Sequence, residues 1–334
     1  MKRKYLGMTT ALVMACAIFA GGCGTTAGQA DTQQMDTQQM DTQQMDTQQS
    51  ETKTPDMQQN GAQQNETEQE DAGQMDTQKA DAVEYEYTIE ELMCQRDGNN
   101  IYGQIYVPLT EKSNKIPVVI IGHGLSVTYT NNVRFAETFA KHGIAAYIFD
   151  FCGGSVASKS DGSTKEMSVL TEKADMLAVF EEISKLDYVD TEQMFLMGES
   201  QGGLVASLCA AELSDRVKGL MLLYPAYNIP DAAKATFEGL DSIPEEYSLF
   251  GMTLGTVYYT DSQAIDVYSE IGKYEGPVTI YHGTDDHTVP IAYSQRALEV
   301  YPDAQLTEEE GQDHGFDAST QYAIAEELVG FIAE

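Results

Sequence analysis

The stretch that most constrains this chain is Gln193-Met194-Phe195-Leu196-Met197-Gly198-Glu199-Ser200-Gln201-Gly202-Gly203-Leu204. It reads as a short apolar strand, a tight turn with a serine at its tip, and a helix. Gly198-x-Ser200-x-Gly202 is the pattern of a nucleophile elbow. A serine hydroxyl is a weak nucleophile and must be held clear of the backbone within reach of a base. Strand and helix then run so close that a Cβ at 198 or 202 would clash, which calls for glycine. Three fixed residues recur by chance in glycine-rich chains, so the flanks decide. Phe195-Leu196-Met197 is apolar, and Leu204, Val205, Leu208 and Cys209 recur at helical spacing.

The rest of the chain from 83 to 334 supplies a frame for such a turn. Residues 84–89 and 101–107 alternate around a turn at 96–100, as in an antiparallel hairpin at a sheet edge. Residues 117–121 form a continuous apolar run, expected of a strand buried on both faces. Further strands are expected at 144–151, 217–223, 277–281 and 304–307. Helices are expected at 131–142, 168–185, after the elbow to about 213, and from about 320 to 333. Strands alternating with helices define an α/β class with a mostly parallel sheet. Residues 227–275 break the rhythm. They are rich in Tyr, Phe, Pro and Gly, too aromatic for a disordered loop, and read as an inserted cap over the C-terminal edge of the sheet.

The serine requires partners. Of the five histidines, His314 lies after the last strand in Gly311-Gln312-Asp313-His314-Gly315-Phe316, where flanking glycines allow a sharp bend. The order nucleophile, acid, histidine places the acid between them. His282-Gly283-Thr284-Asp285-Asp286-His287-Thr288-Val289-Pro290 offers two adjacent aspartates. The Gly-x-x-Asp-x-x-Val-Pro spacing selects Asp286, with Asp285 as the fallback. Its role would be to fix the histidine tautomer and stabilise the imidazolium. His142, at a helix C-terminus, needs no catalytic role, and His282 and His287 read as structural. An oxyanion site needs two donors. The backbone N–H of Gln201 is one, and Leu125, after His123-Gly124, is the natural second. His123-Gly124 also fits a plain tight turn.

The N-terminus has a different character. Lys2, Arg3 and Lys4 precede an apolar run at 11–20, too short to span a bilayer, and then Ala20-Gly21-Gly22-Cys23. Residues 1–22 resemble a bacterial lipoprotein signal, which implies lipidation of Cys23 and a membrane anchor on the extracytoplasmic face. Simple cleavage and secretion is the alternative. Residues 23–82 repeat Asp-Thr-Gln-Gln-Met from Asp31, Asp36 and Asp41. A period of five suits neither helix nor strand, so this reads as a disordered tether with a reach of roughly 40 Å. Only 12 of the 53 acidic residues lie in the tether, and the remaining segment carries 14 basic ones. That balance disfavours nucleic acid as a partner. Cys94, Cys152 and Cys209 form neither a disulfide framework nor a metal-ligand spacing, although one pair among them stays open.

Taken together, His123-Gly124, Asp150-Phe151, the Gly198-Glu199-Ser200-Gln201-Gly202-Gly203 turn, the Gly283 to Pro290 stretch and Asp313-His314-Gly315-Phe316 resemble an α/β-hydrolase. Within that superfamily residues 85–334 are similar to bacterial cinnamoyl/feruloyl esterase-like hydrolases. The resemblance implies an eight-stranded, mostly parallel sheet with helices on both faces and a cap after the sixth strand. It implies hydrolysis of a small-molecule ester without cofactor or metal. In that family cap residues contact the aromatic acyl group, which by position implies Asp231, Tyr258 and Tyr259 here. Cys152-Gly153-Gly154-Ser155 departs from the Gly-His-Gly that relatives often carry. The same motifs occur in acyl-peptidases, so a serine peptidase is an alternative, as is a surface binding lipoprotein with a retired triad.

Overall fold

The structure, a computed structural model, describes residues 84–111 and 115–334. The expected signal (1–22), the tether (23–82) and Cys23 lie outside the described residues.

Two long strands open the domain, β1 (Tyr87–Arg96) and β2 (Asn99–Pro108). They pair antiparallel through a turn of only Asp97 and Gly98, with φ of 51° and 90°. Positive φ at both central residues gives the twist that a two-residue hairpin turn needs. Arg96, Asn99 and Asn100, expected in the turn, therefore belong to the ladder. The chain continues through β3 (Ile116–Gly122), α1 (Val133–Lys141), β4 (Ala145–Phe149), α2 (Val169–Ile183), β5 (Val189–Glu199), α3 (Gln201–Leu213) and β6 (Gly219–Leu223). Ser168 starts α2 by accepting from the N–H of Thr171, whose side chain answers the Ser168 N–H.

An insertion follows, made of α4 (Ile229–Thr236), a hairpin of β7 (Glu246–Leu249) and β8 (Met252–Gly255), α5 (Thr256–Ala264) and α6 (Val267–Ile271). The main sheet then resumes with β9 (Val278–Gly283), a short α7 (Ala292–Ala297) that the sequence reading missed, β10 (Ala304–Glu309) and α8 (Ala318–Ala333). The strand order is β1-β2-β4-β3-β5-β6-β9-β10, antiparallel at β1, β2 and β4 and parallel beyond.

Alternation explains why the central strands read as unbroken apolar runs. Val118, Ile120, Met194, Leu196, Leu220 and Leu222 face one layer, with Met176, Val179 and Phe180 of α2 and Leu204, Val205 and Leu208 of α3. Val119, Ile121, Phe195, Met197, Met221 and Leu223 face the other, with Phe135 and Phe139 of α1 and Ile324, Leu328 and Ile332 of α8. Cys94, Cys152 and Cys209 are free thiols, all buried.

The insertion has a small core of its own, in which Ala233, Met252, Leu254, Tyr258 and Tyr259 pack on Met167. Polar contacts hold it to the body. Thr164 donates to the Thr253 carbonyl, Ser168 to Asp261, and Ser126 to the carbonyl of Phe250 at the hairpin tip.

Candidate active site

The site begins at the end of β5. Ser200 has φ 50° and ψ −121°, outside the broad wells of an L-residue, and its N–H donates to Leu223 O at 3.0 Å. The flanking glycines allow this turn. A Cβ on Gly198 would lie 2.2 Å from Gly202 O, and one on Gly202 would lie 2.5 Å from Gly122 O and His123 O. In both cases the added Cβ meets main-chain atoms, so neither contact can relax without moving a strand or the helix.

The structure brings Ser200, His314 and Asp286 together. His314 Nε2 lies 2.9 Å from Ser200 Oγ, and His314 Nδ1 lies 2.7 Å from Asp286 Oδ2. A carboxylate accepts at Nδ1, so Nδ1 carries the proton and Nε2 faces the hydroxyl as a base. Gly283 permits the approach of the acid loop to the histidine loop, since a Cβ there would sit 2.1 Å from Gln312 O. Burial works to raise the Asp286 pKa, but hydrogen bonds from His282, His314 and the Val289 N–H outweigh it and hold this carboxyl well below the usual range. Asp286 Oδ1 also accepts from the N–H of Thr288 at 2.9 Å. Asp285, the fallback, is exposed and joins the histidine loop only through its backbone, to Gln312 O.

The other histidines are otherwise engaged. His282 is buried, with Nδ1 against Ser294 Oγ and Nε2 against Val289 O, and it lies 3.3 Å from Asp286. His123 is also buried. Its Nδ1 faces Gly124 O at 2.7 Å, and its Nε2 accepts from the Phe151 N–H at 3.1 Å. Burial pushes its pKa down, and the two partners fix a neutral ring with the proton on Nδ1. His142 caps α1 against Thr138 O, and His287 is exposed beside Asp313.

Gln201 opens α3, and Leu125 follows a loop that lies against the serine. A Cβ on Gly124 would be 3.2 Å from Ser200 Cβ. Among the described residues, neither the Gln201 nor the Leu125 backbone N–H has a protein acceptor. Both are available donors beside the nucleophile, and a helix N-terminus favours negative charge there.

The residues implied at the cap separate. Tyr258 is buried and donates to Gln201 Oε1 at 2.8 Å, while Gln201 Nε2 donates to Glu172 Oε2 at 2.8 Å. Tyr259 packs edge-on against Phe237 and Tyr247, with its hydroxyl buried and without a partner among the described residues. Asp231 is exposed. It accepts from Tyr293 of α7 at 3.1 Å and lines a groove with Lys234, Tyr268 and Arg296, to which no triad residue contributes. Among the described residues no cluster of His, Cys, Asp and Glu is arranged to hold a metal ion.

Two carboxyls escaped the sequence reading. Glu199, within the elbow motif, is buried and accepts from the Asn131 amide, from Tyr224 Oη at 2.9 Å and from the Gly124 N–H at 3.4 Å. A charged residue between an apolar strand and the nucleophile was the available signal. Glu172 is buried on the apolar stripe of α2 and had no such signal.

A sheet of this order carrying a Ser-His-Asp arrangement at its parallel end defines a class, and comparison with known proteins agrees with it. Residues 113–245 match the family model of serine aminopeptidases, S33. The chain is 30% identical to Est1E from Butyrivibrio proteoclasticus, solved with ferulic acid bound, over 72% of this chain and 98% of that one, with a TM-score of 0.65. DcsB, solved with a substrate analogue, shares the fold at 21% identity and a TM-score of 0.61, over 74% of this chain and 99% of that one. A proline iminopeptidase from Thermoplasma volcanium is 26% identical over 182 residues, 54% of this chain and 52% of that protein, so the match spans about half the length of that relative. The chain belongs to the α/β-hydrolase superfamily.

Proposed function

We propose that the protein is an extracytoplasmic serine carboxylesterase acting on esters of aromatic, cinnamoyl- or feruloyl-type acids. The observation that carries the reading is the run of contacts from Asp286 through His314 to Ser200, at 2.7 and 2.9 Å. Ser200 Oγ attacks the ester carbonyl as His314 Nε2 takes its proton, and the N–H groups of Gln201 and Leu125 hold the oxyanion. Collapse breaks the bond to the alkoxy group, which leaves as an alcohol with the proton from His314. Water then gives a proton to His314 and attacks the acyl-serine. The acid is released, and the proton returns to Ser200 Oγ. Similarity to the ferulic acid-bound esterase supports the aromatic acyl group. Ser200→Ala is expected to lower p-nitrophenyl and feruloyl ester turnover by about 10⁴-fold or more and to abolish fluorophosphonate labelling, with unchanged circular dichroism. Turnover that survives removes Ser200 from the mechanism.

A second reading, a serine peptidase, is favoured by the match to the serine aminopeptidase family. Aminoacyl-amide turnover that exceeds feruloyl-ester turnover on the same preparation would establish it. The lipid anchor at Cys23 belongs to the same proposal, supported by the Ala20-Gly21-Gly22-Cys23 pattern. Cys23→Ser should shift the protein from the membrane fraction to the soluble fraction, and an unchanged distribution would refute the anchor.

A further inference from the structure

Glu199 lies at the junction of three parts of the site. Its carboxyl accepts from the backbone N–H of Gly124, in the loop that leads to Leu125. It accepts from Asn131, in the turn before α1, and from the hydroxyl of Tyr224, the residue after β6. Tyr224 is itself strained. Its φ is 37°, a rare value for a bulky residue, and its own N–H is held by Tyr281 O at 2.8 Å. That conformation places the Tyr224 ring 4.6 Å from the His314 ring, with Phe316 edge-on at 4.8 Å behind it. A residue kept in an unfavourable backbone region by its surroundings, next to the candidate base, points to a function for what it holds.

We propose that Glu199 is a positioning residue for ester hydrolysis, fixing the oxyanion loop through Gly124 and the face of His314 through Tyr224. The proposal rests on the serine hydrolase reading above. Every partner of Glu199 donates to it, so the carboxylate, which only accepts, suits the site. Burial raises its pKa, and Asn131, Tyr224, the Gly124 N–H and the nearby His314 offset only part of that rise. The last influence is reciprocal: a negative charge at 199 favours the imidazolium that forms when Ser200 is deprotonated. Other groups also face His314. Asp286 lies against Nδ1, and Asp313 holds the His314 N–H and pairs with exposed His287. Glu199 is thus a second acid of the site, acting from the far side of the ring through Tyr224.

The test uses Glu199→Gln in the full chain, with fluorophosphonate labelling and pH–rate profiles on an ester substrate. Gln keeps the shape, removes the charge and turns one acceptor into a donor against an all-donor set. The expected result is a kcat lower by about 10- to 100-fold with KM changed less than about threefold, because a displaced oxyanion donor weakens the transition state more than the ground state. The acid limb of kcat/KM should move to lower pH, since loss of a nearby negative charge makes the imidazolium harder to form. A purely structural role would lower the melting temperature and leave that limb in place. If Glu199→Gln does not fold, Asn131→Ala tests the loop arm alone, and the same kcat loss without a KM change is expected. A folded Glu199→Gln that labels at the wild-type rate with an unmoved limb overturns the proposal. A wild-type protein that resists labelling overturns the underlying serine reading instead.

Discussion

Two buried glutamates stand beside the elbow, Glu199 immediately before Ser200 and Glu172 on the side chain of Gln201 immediately after it, and they differ in how many donors meet them. Asn131, Tyr224 and the Gly124 N–H all donate to Glu199. Glu172 of α2 meets Gln201 Nε2 with Oε2, while Oε1 has no partner among the described residues. Both side chains are removed from water, so burial alone does not decide their charge. The donors do. Burial pushes the Glu172 pKa up, one amide offsets little of this, and the neighbouring Asp175 adds to the rise, to about 8. Burial raises both carboxyls, but Glu172 meets one amide and rises to about 8, whereas three donors meet Glu199 and offset part of its rise. Pairs of like groups driven apart by their surroundings divide labour in hydrolase sites generally. Here the division falls between a carboxyl met by three donors next to Tyr224 and a carboxyl met by a single amide, that of Gln201.

The largest expected effect on this comparison comes from removing the titrating group at Glu172. An acid with an ordinary pKa of 4.5 that rises to about 8 in the folded protein keeps its proton between those values, while the unfolded chain has lost it. The unfolded state binds fewer protons there. Stability is thus full below about pH 4.5, falls as pH rises, and has lost the whole contribution above about pH 8. The slope reaches about 1.4 kcal/mol per pH unit. Glu172→Gln, the neutral isostere, should flatten that slope relative to wild type in urea titrations from pH 5 to 9, and should be the more stable protein at the alkaline end. Identical slopes would show that Glu172 ionises normally, and the contrast with Glu199 would fail.

How much of this was legible in the residues follows the same division. The elbow and the acid turn depend on glycines where a Cβ would collide with backbone, and the histidine turn on Gly311 and Gly315, which hold φ of 70° and 94° in open space. Gly198 and Gly283 therefore advertised their turns, and Ser200, His314 and Asp286 lie in hydrogen-bond contact. The double-sided burial of β3, β5 and β6 was equally visible, because period-two alternation with two covered faces leaves an unbroken apolar run. The insertion was seen as a region without its elements. Its helices are short, and its core of Met252, Leu254, Tyr258 and Tyr259 closes on Met167, which is distant in sequence. Such packing has no local period to read. Asp231 shows the limit of transfer by position. One residue on α4 can face the triad or α7 depending on the helix's rotation, and here it bonds Tyr293. Glu172 was invisible for a simpler reason. A lone carboxyl on a helix reads as a solvated one, and only the fold shows that its neighbours are Gln201 and Tyr258.

A smaller effect tests whether the Glu172 side is a linked unit. Tyr258 Oη donates to Gln201 Oε1, and the same amide donates to Glu172, so the Gln201 side chain is held at both ends between the insertion and α2. Tyr258→Phe removes one donor and strands a buried acceptor. That should cost about 1–3 kcal/mol of stability and lower kcat by a few fold through a less firmly held Gln201, a weaker effect than that of Glu199→Gln. If the three groups form one chain, combining Tyr258→Phe with Glu172→Gln changes stability by an amount that departs from the sum of the singles by about 0.5 kcal/mol or more. With its Tyr258 bond gone, the Gln201 amide is free to turn, and the choice between carboxyl and amide at 172 then matters less to it. Additive changes would mean that Glu172 and Tyr258 touch Gln201 independently, and that only the contacts of Glu199 are organised as a network.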